Sequence, residues 1–192
     1  MKSGCTCIEM SGDWSRYMSS GATTVPMVMR APAGNTRNMG PHHSGAYWPM
    51  FAHCPGLLVA VPSTARDAKG LMKTALRYTE DPVIFLESKA LFNSVDDIPV
   101  EEEYIPFGVA RTVRSGNDIT VVACGAHVHT ALTAARALAD PLLSSSSRAI
   151  ECEVVDLRTV VPLDTETVID SGEQCPAQKS YNLASVADID SC

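Results

Sequence analysis

A strand–helix–strand alternation in the first half of the chain most constrains how it can fold. The apolar runs Leu58–Pro62 and Pro82–Glu87 have the length of buried strands and are bounded by turn-forming residues. Residues 63–78 between them have the period of an amphipathic helix, with Ser63 or Thr64 as the N-cap. Short connections of this kind predict a parallel sheet covered by helices, which is an α/β fold. The apolar face of the helix consists of Ala68, Leu71, Met72, Ala75 and Leu76.

The segment before this unit predicts one more strand and a site-bearing loop. Val25–Arg30 is an apolar run with the character of a buried strand, and Ala31–Pro41 is a loop rich in glycine, proline and asparagine. A short helix is expected within Ala46–Cys54, with Pro49 in its first turn. The loop therefore leads from the end of a strand directly into a short helix.

An acidic stretch separates this half from the next. Asn93–Gly108 has no helical period and predicts a linker, in which Glu101–Glu103 is a solvated charge run. Two strands on either side of residues 115–118 are expected to pair as a hairpin. A second α/β unit is completed by a helix over His127–Asp140, a surface loop at 144–148, a strand over Ile150–Arg158, a turn at Pro162 and a helix capped by Asp164 or Thr165.

Composition excludes several classes of function. The 192 residues carry a formal net charge of −7, which leaves no basic surface for a nucleic acid. No apolar run approaches the roughly 20 residues that a membrane span needs, and Met1–Trp14 is not expected to be a secretory signal. The seven cysteines form no CxxC pair, so we expect a reducing compartment, with Cys124 and Cys152 as small buried apolar residues.

Residues 40–57 hold three of the five histidines and are the main candidate for chemistry. The adjacent His42 and His43 diverge on any regular element, and no HExxH spacing is present, so a catalytic zinc is disfavoured. His53 and Cys54 are neighbours and cannot face each other as a nucleophile pair, so His53 is interpreted as a histidine at a helix end. A histidine in a glycine-proline loop after a strand suits a binding crevice as well as a structural role, and both interpretations stay open.

Other motifs point away from familiar catalytic classes. His127 and His129 are interpreted as polar residues in the first turn of a helix, and Cys5 and Cys7 are too isolated to complete a zinc site. The sequence contains no GxGxxG, Walker or GxSxG motif. Nucleotide-binding and hydrolase functions therefore have no motif support.

Three runs together resemble one family. HHSGAYWPMFAHCPGL, the later DAKGL and the run EVVDLRTVVPLD are similar to the β subunit of thiamine-diphosphate-dependent 2-oxo acid dehydrogenase E1 components, which act on pyruvate, branched-chain 2-oxo acids or acetoin. The resemblance covers about residues 14–170. It implies a partial transketolase-like pyrimidine-binding domain over 1–92, a linker over 93–107, a partial transketolase C-terminal-like α/β domain over 108–170, and a divergent, disordered tail over 171–192.

The resemblance also implies site residues. The family's active-site histidine, in a Gln-His-Ser context, matches His43, although His42 stands where glutamine is usual and Gly45 where glutamine often follows. The glutamate that contacts the cofactor pyrimidine is expected upstream of Met1, so this polypeptide by itself is expected to be inactive. A structural K⁺ held by main-chain carbonyls would match Met27, Ala75, Leu76 and Asp81.

Partners follow from the resemblance as well. A β subunit of this family works in an α2β2 heterotetramer, in which the α subunit holds the diphosphate and Mg²⁺ through a GDG motif that this sequence lacks. The resemblance implies that this heterotetramer passes an acyl group to the lipoyl domain of an E2 acyltransferase. It also implies a location in the mitochondrial matrix of a eukaryote, or otherwise in the cytoplasm. Pyruvate is the expected substrate. The alternatives are a non-catalytic remnant that keeps partner surfaces, or another transketolase-like enzyme such as deoxyxylulose-phosphate synthase.

Overall fold

A computed structural model describes residues 18–35, 40–140 and 149–174 as two small sheets with four helices. The strands are β1 (Val28–Ala33), β2 (Leu58–Ala60), β3 (Val83–Ser88), β4 (Arg111–Arg114), β5 (Ile119–Ala123), β6 (Cys152–Asp156) and β7 (Thr159–Val161). The helices are α1 (Trp48–Ala52), α2 (Ala65–Tyr78), α3 (Ala126–Ala139) and α4 (Thr165–Gln174). Single 3-10 turns lie at Pro41–His43 and Lys89–Leu91.

The first sheet has the strand order β1-β3-β2-β7, and its first three strands are parallel. Alternate residues of the strands serve two cores, because successive side chains of a strand point to opposite faces. Ala60 and Phe85 pack with Leu71 of α2 on one face. Val59 and Ile84 belong to the core on the other face. The predicted α/β class, with a parallel sheet covered by helices, is confirmed.

Strand β1 lies three residues later than the predicted strand at 25–30. It runs through Pro32, which was assigned to the loop. A proline cannot donate to a ladder, but it is tolerated on an edge strand. Within the described residues β1 is an edge strand that pairs only with β3. The missing amide hydrogen of the exposed Pro32 therefore breaks no hydrogen bond on the outer side of β1.

The predicted hairpin around residues 115–118 is wrong. The second sheet has the order β4-β6-β5, so β6 lies between the two strands that were expected to pair. Strand β5 is parallel to β6 and β4 is antiparallel to it. The connection at Gly116 passes over β6 so closely that a Cβ there would lie 2.3 Å from the carbonyl carbon of Cys152. The turn residues therefore predicted correctly that the chain reverses its direction between β4 and β5, but not that β6 lies between these two strands.

The acidic linker is not simply solvated. Residues 93–107 contain no helix or strand, but they lie along α2. Glu103 forms an ion pair with Arg66 at 2.7 Å, and Glu102 forms one with Lys73 at 3.2 Å. Two of the three glutamates predicted as a solvated charge run are thus paired with basic residues of the helix that lie about two turns apart.

The last described helix extends into the first four residues of the segment expected to be a tail, and residues 175–192 of that segment lie outside the described part of the chain. Helix α4 continues to Gln174, four residues past the boundary predicted at 170. Its end has no apolar period, yet Ser171 is buried and its carbonyl accepts a hydrogen bond from the Thr120 hydroxyl at 3.1 Å. Contact with β5 therefore supports a helical turn that the local sequence does not predict. None of the described helices is long and apolar enough to cross a membrane.

Candidate functional site

The candidate site lies at the carboxyl end of the parallel strands, where crevices form in α/β sheets. The 3-10 turn Pro41–His43 follows β1 and precedes α1. Local hydrogen bonds shape it: the Ser44 hydroxyl and the His43 amide both donate to the Gly40 carbonyl, at 2.8 and 3.2 Å. The amide of Gly34, just past β1, donates to the Gly45 carbonyl at 3.0 Å. The loop is therefore closed on itself at the end of the strand.

His43, the residue predicted to be functional, is exposed at this edge. Its ring contacts the ring of His42, with 4.2 Å between the centroids. The ammonium group of Lys89, directly after β3, donates to the His43 carbonyl. The imidazole thus stands at the surface of the sheet's carboxyl end rather than in an apolar interior.

A cleft of about 440 Å³ opens at the carboxyl end of β3, at the same end of the sheet as this turn. Ser88, the last residue of β3, lines it, and the next residue is the Lys89 that contacts His43. Leu91 and Phe92 supply apolar wall, and Glu87 is held in the wall by an ion pair with Arg30 at 2.6 Å. The cleft combines apolar side chains with a few polar groups, as ligand sites do.

The remaining histidines have structural positions. His127 and His129 lie in the first turn of α3, as predicted. The His127 ring meets the edge of Trp48 at 6.2 Å, and a ring nitrogen of His129 lies 2.8 Å from the Ser63 carbonyl. His53 is exposed at the end of α1. Among the described residues no group of three His, Cys, Asp or Glu side chains is placed to hold a metal ion.

The structure contains one cluster that sequence reasoning missed, at the junction of the two sheets. Asp67 of α2 and Asp156 of β6 are completely buried. The guanidinium of Arg111 lies 3.0 Å from Asp67 and 3.6 Å from Asp156. Arg158 Nε lies 3.1 Å from Asp67 Oδ1, and the Ser63 hydroxyl donates to Asp156 at 2.5 Å. Two carboxyl groups and two guanidinium groups therefore form one network that joins the two halves of the chain.

No local signal would have identified this network. Asp67 occupies the first turn of a helix, where an acidic residue is common, and its amide is capped by the Thr64 hydroxyl at 3.0 Å. Its partners Arg111 and Arg158 come from 44 and 91 positions further on. Asp67 lies in the run DAKGL and Arg158 in the run EVVDLRTVVPLD, but neither run indicates that the two side chains meet. Only the packing of α2 against the second sheet brings them together.

Burial shifts the pKa of Asp156 and that of Arg158, two members of this network. Loss of hydration raises the pKa of Asp156, although the hydrogen bond from Ser63 acts in the opposite direction. Burial likewise lowers the pKa of Arg158. The thiol of Cys124, buried in the core as predicted, has its pKa raised to about 12 by burial and by Asp156. Cys124 is therefore protonated at neutral pH and is not a nucleophile.

The raised pKa of Asp156 predicts a pH dependence of stability. The folded state binds the Asp156 proton more tightly than the unfolded state, so this contribution is present at low pH and is lost as the pH rises through the folded pKa. We expect the difference in unfolding free energy between wild type and Asp156→Asn to favour wild type more as the pH falls from about 7 to about 4. Urea denaturation across that range measures it.

Asp164 provides the matched control with the opposite sign. Burial opposes its ionisation, but hydrogen bonds from the Ala110 amide and from the amide and hydroxyl of Thr167 outweigh that effect and lower the pKa of Asp164. Its contribution is therefore lost as the pH falls. Slopes of the same sign for Asp156→Asn and Asp164→Asn relative to wild type would contradict at least one of the two assignments.

The four positions implied for a potassium ion lie near the amino ends of the parallel strands, at the opposite end of the first sheet from the cleft. Met27 directly precedes β1, Asp81 precedes β3, and Ala75 and Leu76 lie in the last turn of α2. The Met27 carbonyl accepts a hydrogen bond from the first amide of β3 at 2.8 Å, and the Ala75 carbonyl accepts one from a hydroxyl at the helix end at 2.7 Å. A carbonyl has two lone pairs, so each can also serve a cation.

Comparison with known proteins defines the class of this protein. Residues 10–94 match the family model described as the pyrimidine binding domain of transketolase, and residues 108–176 match the one described as its C-terminal domain. The fold is similar to that of a split-gene transketolase, described as an inactive β4 tetramer, with a TM-score of 0.65 and 22% identity over 88% of this chain and 50% of that one. The chain belongs to the transketolase-like family.

Its relatives within that family are β subunits of 2-oxo acid dehydrogenases, as the resemblance implied. The chain is 43% identical to the pyruvate dehydrogenase E1 component subunit β of Rickettsia felis over 82% of its length and 46% of the relative. It is 44% identical to the acetoin:2,6-dichlorophenolindophenol oxidoreductase subunit β of Cupriavidus necator, over 82% of this chain and 44% of the relative. The 2-oxoisovalerate dehydrogenase subunit β of Bacillus subtilis is 41% identical over 83% and 46%. The chain spans about half the length of these relatives.

Proposed function

We propose that this chain serves as a β subunit of pyruvate dehydrogenase E1, which carries out oxidative decarboxylation of pyruvate with reductive acylation of a lipoyl-bearing E2. The main support is the agreement between the relatives and the site. Relatives at about 40% identity are named as β subunits of this enzyme. His43 is exposed at the carboxyl end of the parallel strands, the end of the sheet at which the cleft opens.

The residues present fit one side of thiamine diphosphate. The cleft sets the apolar side chains of Leu91 and Phe92 against the hydroxyls of Ser88 and Ser94, a lining that suits a flat ring with polar substituents. We assign the diphosphate and its Mg²⁺ to an α partner, because this sequence has no GDG motif. When bound, the cofactor supplies the carbon nucleophile and the electron sink that decarboxylation requires.

In this proposal His43 handles protons during acyl transfer. An imidazole can donate or accept a proton near neutral pH, and the exposed ring of His43 is accessible to an incoming lipoyl group. Its neighbour His42, at 4.2 Å between ring centroids, replaces the glutamine usual in the family and supplies a second imidazole to the same edge. His43 is the catalytic residue of this chain that the proposal names.

A potassium ion at the opposite edge belongs to the same proposal. The carbonyls of Met27, Ala75 and Leu76 and the residue Asp81 are placed around the amino ends of β1 and β3 and the end of α2. A cation bound there would connect the two strands that carry the cleft at their other ends. Main-chain carbonyls are suitable ligands for a weakly hydrated monovalent ion.

The proposed assembly is an α2β2 heterotetramer that docks with E2. An inactive tetramer of β chains has been described for a split-gene transketolase, which supports a requirement for the α partner here. Relatives from Drosophila melanogaster and Dictyostelium discoideum are named as mitochondrial, and others are bacterial. We therefore propose the mitochondrial matrix as the location in a eukaryote and the cytoplasm otherwise.

A branched-chain or acetoin substrate is the second candidate, because relatives named for those substrates are as similar as the pyruvate enzymes. The test is to tag the gene in its own cells, purify the assembly that contains this chain, and assay it with pyruvate, 2-oxoisovalerate and acetoin. Turnover of pyruvate in preference to the others would support the first candidate. An assembly that turns over none of them would contradict an enzymatic role and favour a non-catalytic partner protein.

His43→Asn tests the assignment of the catalytic residue in that assembly. We expect reductive acylation of a lipoyl domain to fall by about 100-fold or more, because proton transfer by a positioned side chain contributes that much. Decarboxylation measured with an artificial electron acceptor should fall less. His53→Asn is the control, since His53 is exposed in the same stretch but lies at the end of α1. Equal acylation by the two variants would contradict the assignment.

A further inference from the structure

The turn that carries His43 has little support of its own. Pro41, His42 and His43 are all exposed, so no apolar packing holds the turn. A single 3-10 turn has poor hydrogen-bond geometry and is marginal in isolation. The local bonds to the Gly40 carbonyl define its shape, but they do not fix it relative to the neighbouring strand.

The sheet register brings a support from β3. Strands β1 and β3 pair in parallel, and Ala33, the last residue of β1, is opposite Ser88, the last residue of β3. The loop after β1 and the residue after β3 therefore start from the same level of the sheet. Lys89 is that residue, and it begins its own 3-10 turn, in which its carbonyl accepts the amide of Phe92 at 3.2 Å.

The ammonium group of Lys89 contacts the turn that carries His43. The nearest acid along the strand, Glu87, is engaged by Arg30 at 2.6 Å. The ammonium group of Lys89 instead donates to the carbonyl of His43, 46 positions earlier in the chain. A hydrogen bond from a charged donor is about twice as strong as a neutral one, so this contact restrains the backbone of the residue that carries the imidazole.

We propose that Lys89 is a positioning residue for His43, which holds the turn at Pro41–His43 against the end of β3 and so keeps the imidazole at the carboxyl end of the sheet. This inference rests on the proposed function, because the position of His43 matters for activity only if His43 is the catalytic residue. Lys89 acts through the backbone of His43 and takes no part in the chemistry itself.

The experiment uses the purified assembly that contains this chain with Lys89→Met, Lys89→Arg or Lys69→Met. Methionine keeps the length of the side chain but removes the donor, whereas arginine keeps a charged donor. Lys69 of α2 is the matched control, because its ammonium also donates to a backbone carbonyl, that of Pro99 at 2.9 Å, and it does not contact the His43 turn or line the cleft.

Two measurements are made on each assembly. Ethoxyformylation of His43 by diethyl pyrocarbonate, followed by mass spectrometry, is expressed relative to that of His53, and Lys89→Met should raise this ratio about twofold or more as the turn opens. Steady-state turnover of the preferred substrate should show kcat about tenfold lower with KM nearly unchanged, because a misplaced catalytic group costs rate rather than binding. Lys89→Arg should restore both values, and Lys69→Met should alter neither.

The outcomes separate this inference from the proposed function. If Lys89→Met matches Lys69→Met in both the modification ratio and kcat, the positioning role is overturned. If kcat falls but the ratio does not change and arginine does not rescue, the role is also overturned, because Lys89 then acts directly. Full acylation activity in His43→Asn would overturn the proposed role of His43, while a raised ratio in Lys89→Met would still support the contact.

Discussion

Asp67→Asn is expected to lower the free energy of unfolding by about 3–5 kcal/mol, the usual effect of breaking a buried ion pair from one side. Asp67 is completely buried and faces both Arg111 and Arg158, at 3.0 and 3.1 Å. Without its charge the two guanidinium groups lose the acid that they share at the shortest distances, and the ionisation of the neighbouring Asp156 is already disfavoured by burial. Urea denaturation at neutral pH gives the change directly.

The control for this prediction is an ion pair at the surface. Glu102→Gln removes the partner of Lys73 at 3.2 Å, and the exposed position should leave stability unchanged. A second variant, Asp67→Asn combined with Arg158→Met, should recover part of the loss, because it removes one unpaired charge. A loss below about 1 kcal/mol in Asp67→Asn would show that water or neighbouring groups replace the pairing.

Gly116→Ala is expected to cost about 3 kcal/mol, at the upper end for an added methyl group in a packed site. A Cβ at this position would lie 2.3 Å from the carbonyl carbon of Cys152 and 2.5 Å from the amide of Glu153. Both are backbone atoms of the central strand β6, so no side-chain rotation relieves the clash. Thermal and urea unfolding of the protein measure the loss.

Gly21→Ala is the comparison that isolates this cause. Gly21 has φ of 83° and open space around its Cβ position. Its replacement should therefore cost only the strain of a left-handed residue, about 1 kcal/mol. If the two alanine variants were equally stable, the connection over β6 would have room to move, and the close approach at Gly116 would not constrain the second sheet.

The elements that depend on local patterns were predicted well. The helix at 63–78 was found as α2, capped by Thr64 as expected, because its apolar period and capping residue are both properties of consecutive residues. The same holds for β2 and β3 and for the short helix around Pro49. Where the signal came from turn residues alone, as at 115–118, the prediction failed, because a turn specifies a reversal but not the strand that pairs across it.

The candidate site shows the same division. The glycine-proline loop and its histidines indicated that His43 follows a strand, and the structure places it at the carboxyl end of β1. The residue that contacts its backbone, Lys89, carries no motif and could not be identified without the parallel register of β1 and β3. The functional role of His43 itself stays a prediction.

The sequence by itself determined the α/β class, the helix over α2 and the location of the histidine loop, because each depends on the period or the type of neighbouring residues. Only the tertiary structure decided that β6 separates β4 from β5, that Asp67 meets Arg111 and Arg158, and that Lys89 reaches His43. The two arginines that meet Asp67, for example, follow it by 44 and 91 positions in the chain. Pairing at such separations is selected by burial and charge balance over the whole fold, and no local pattern encodes it.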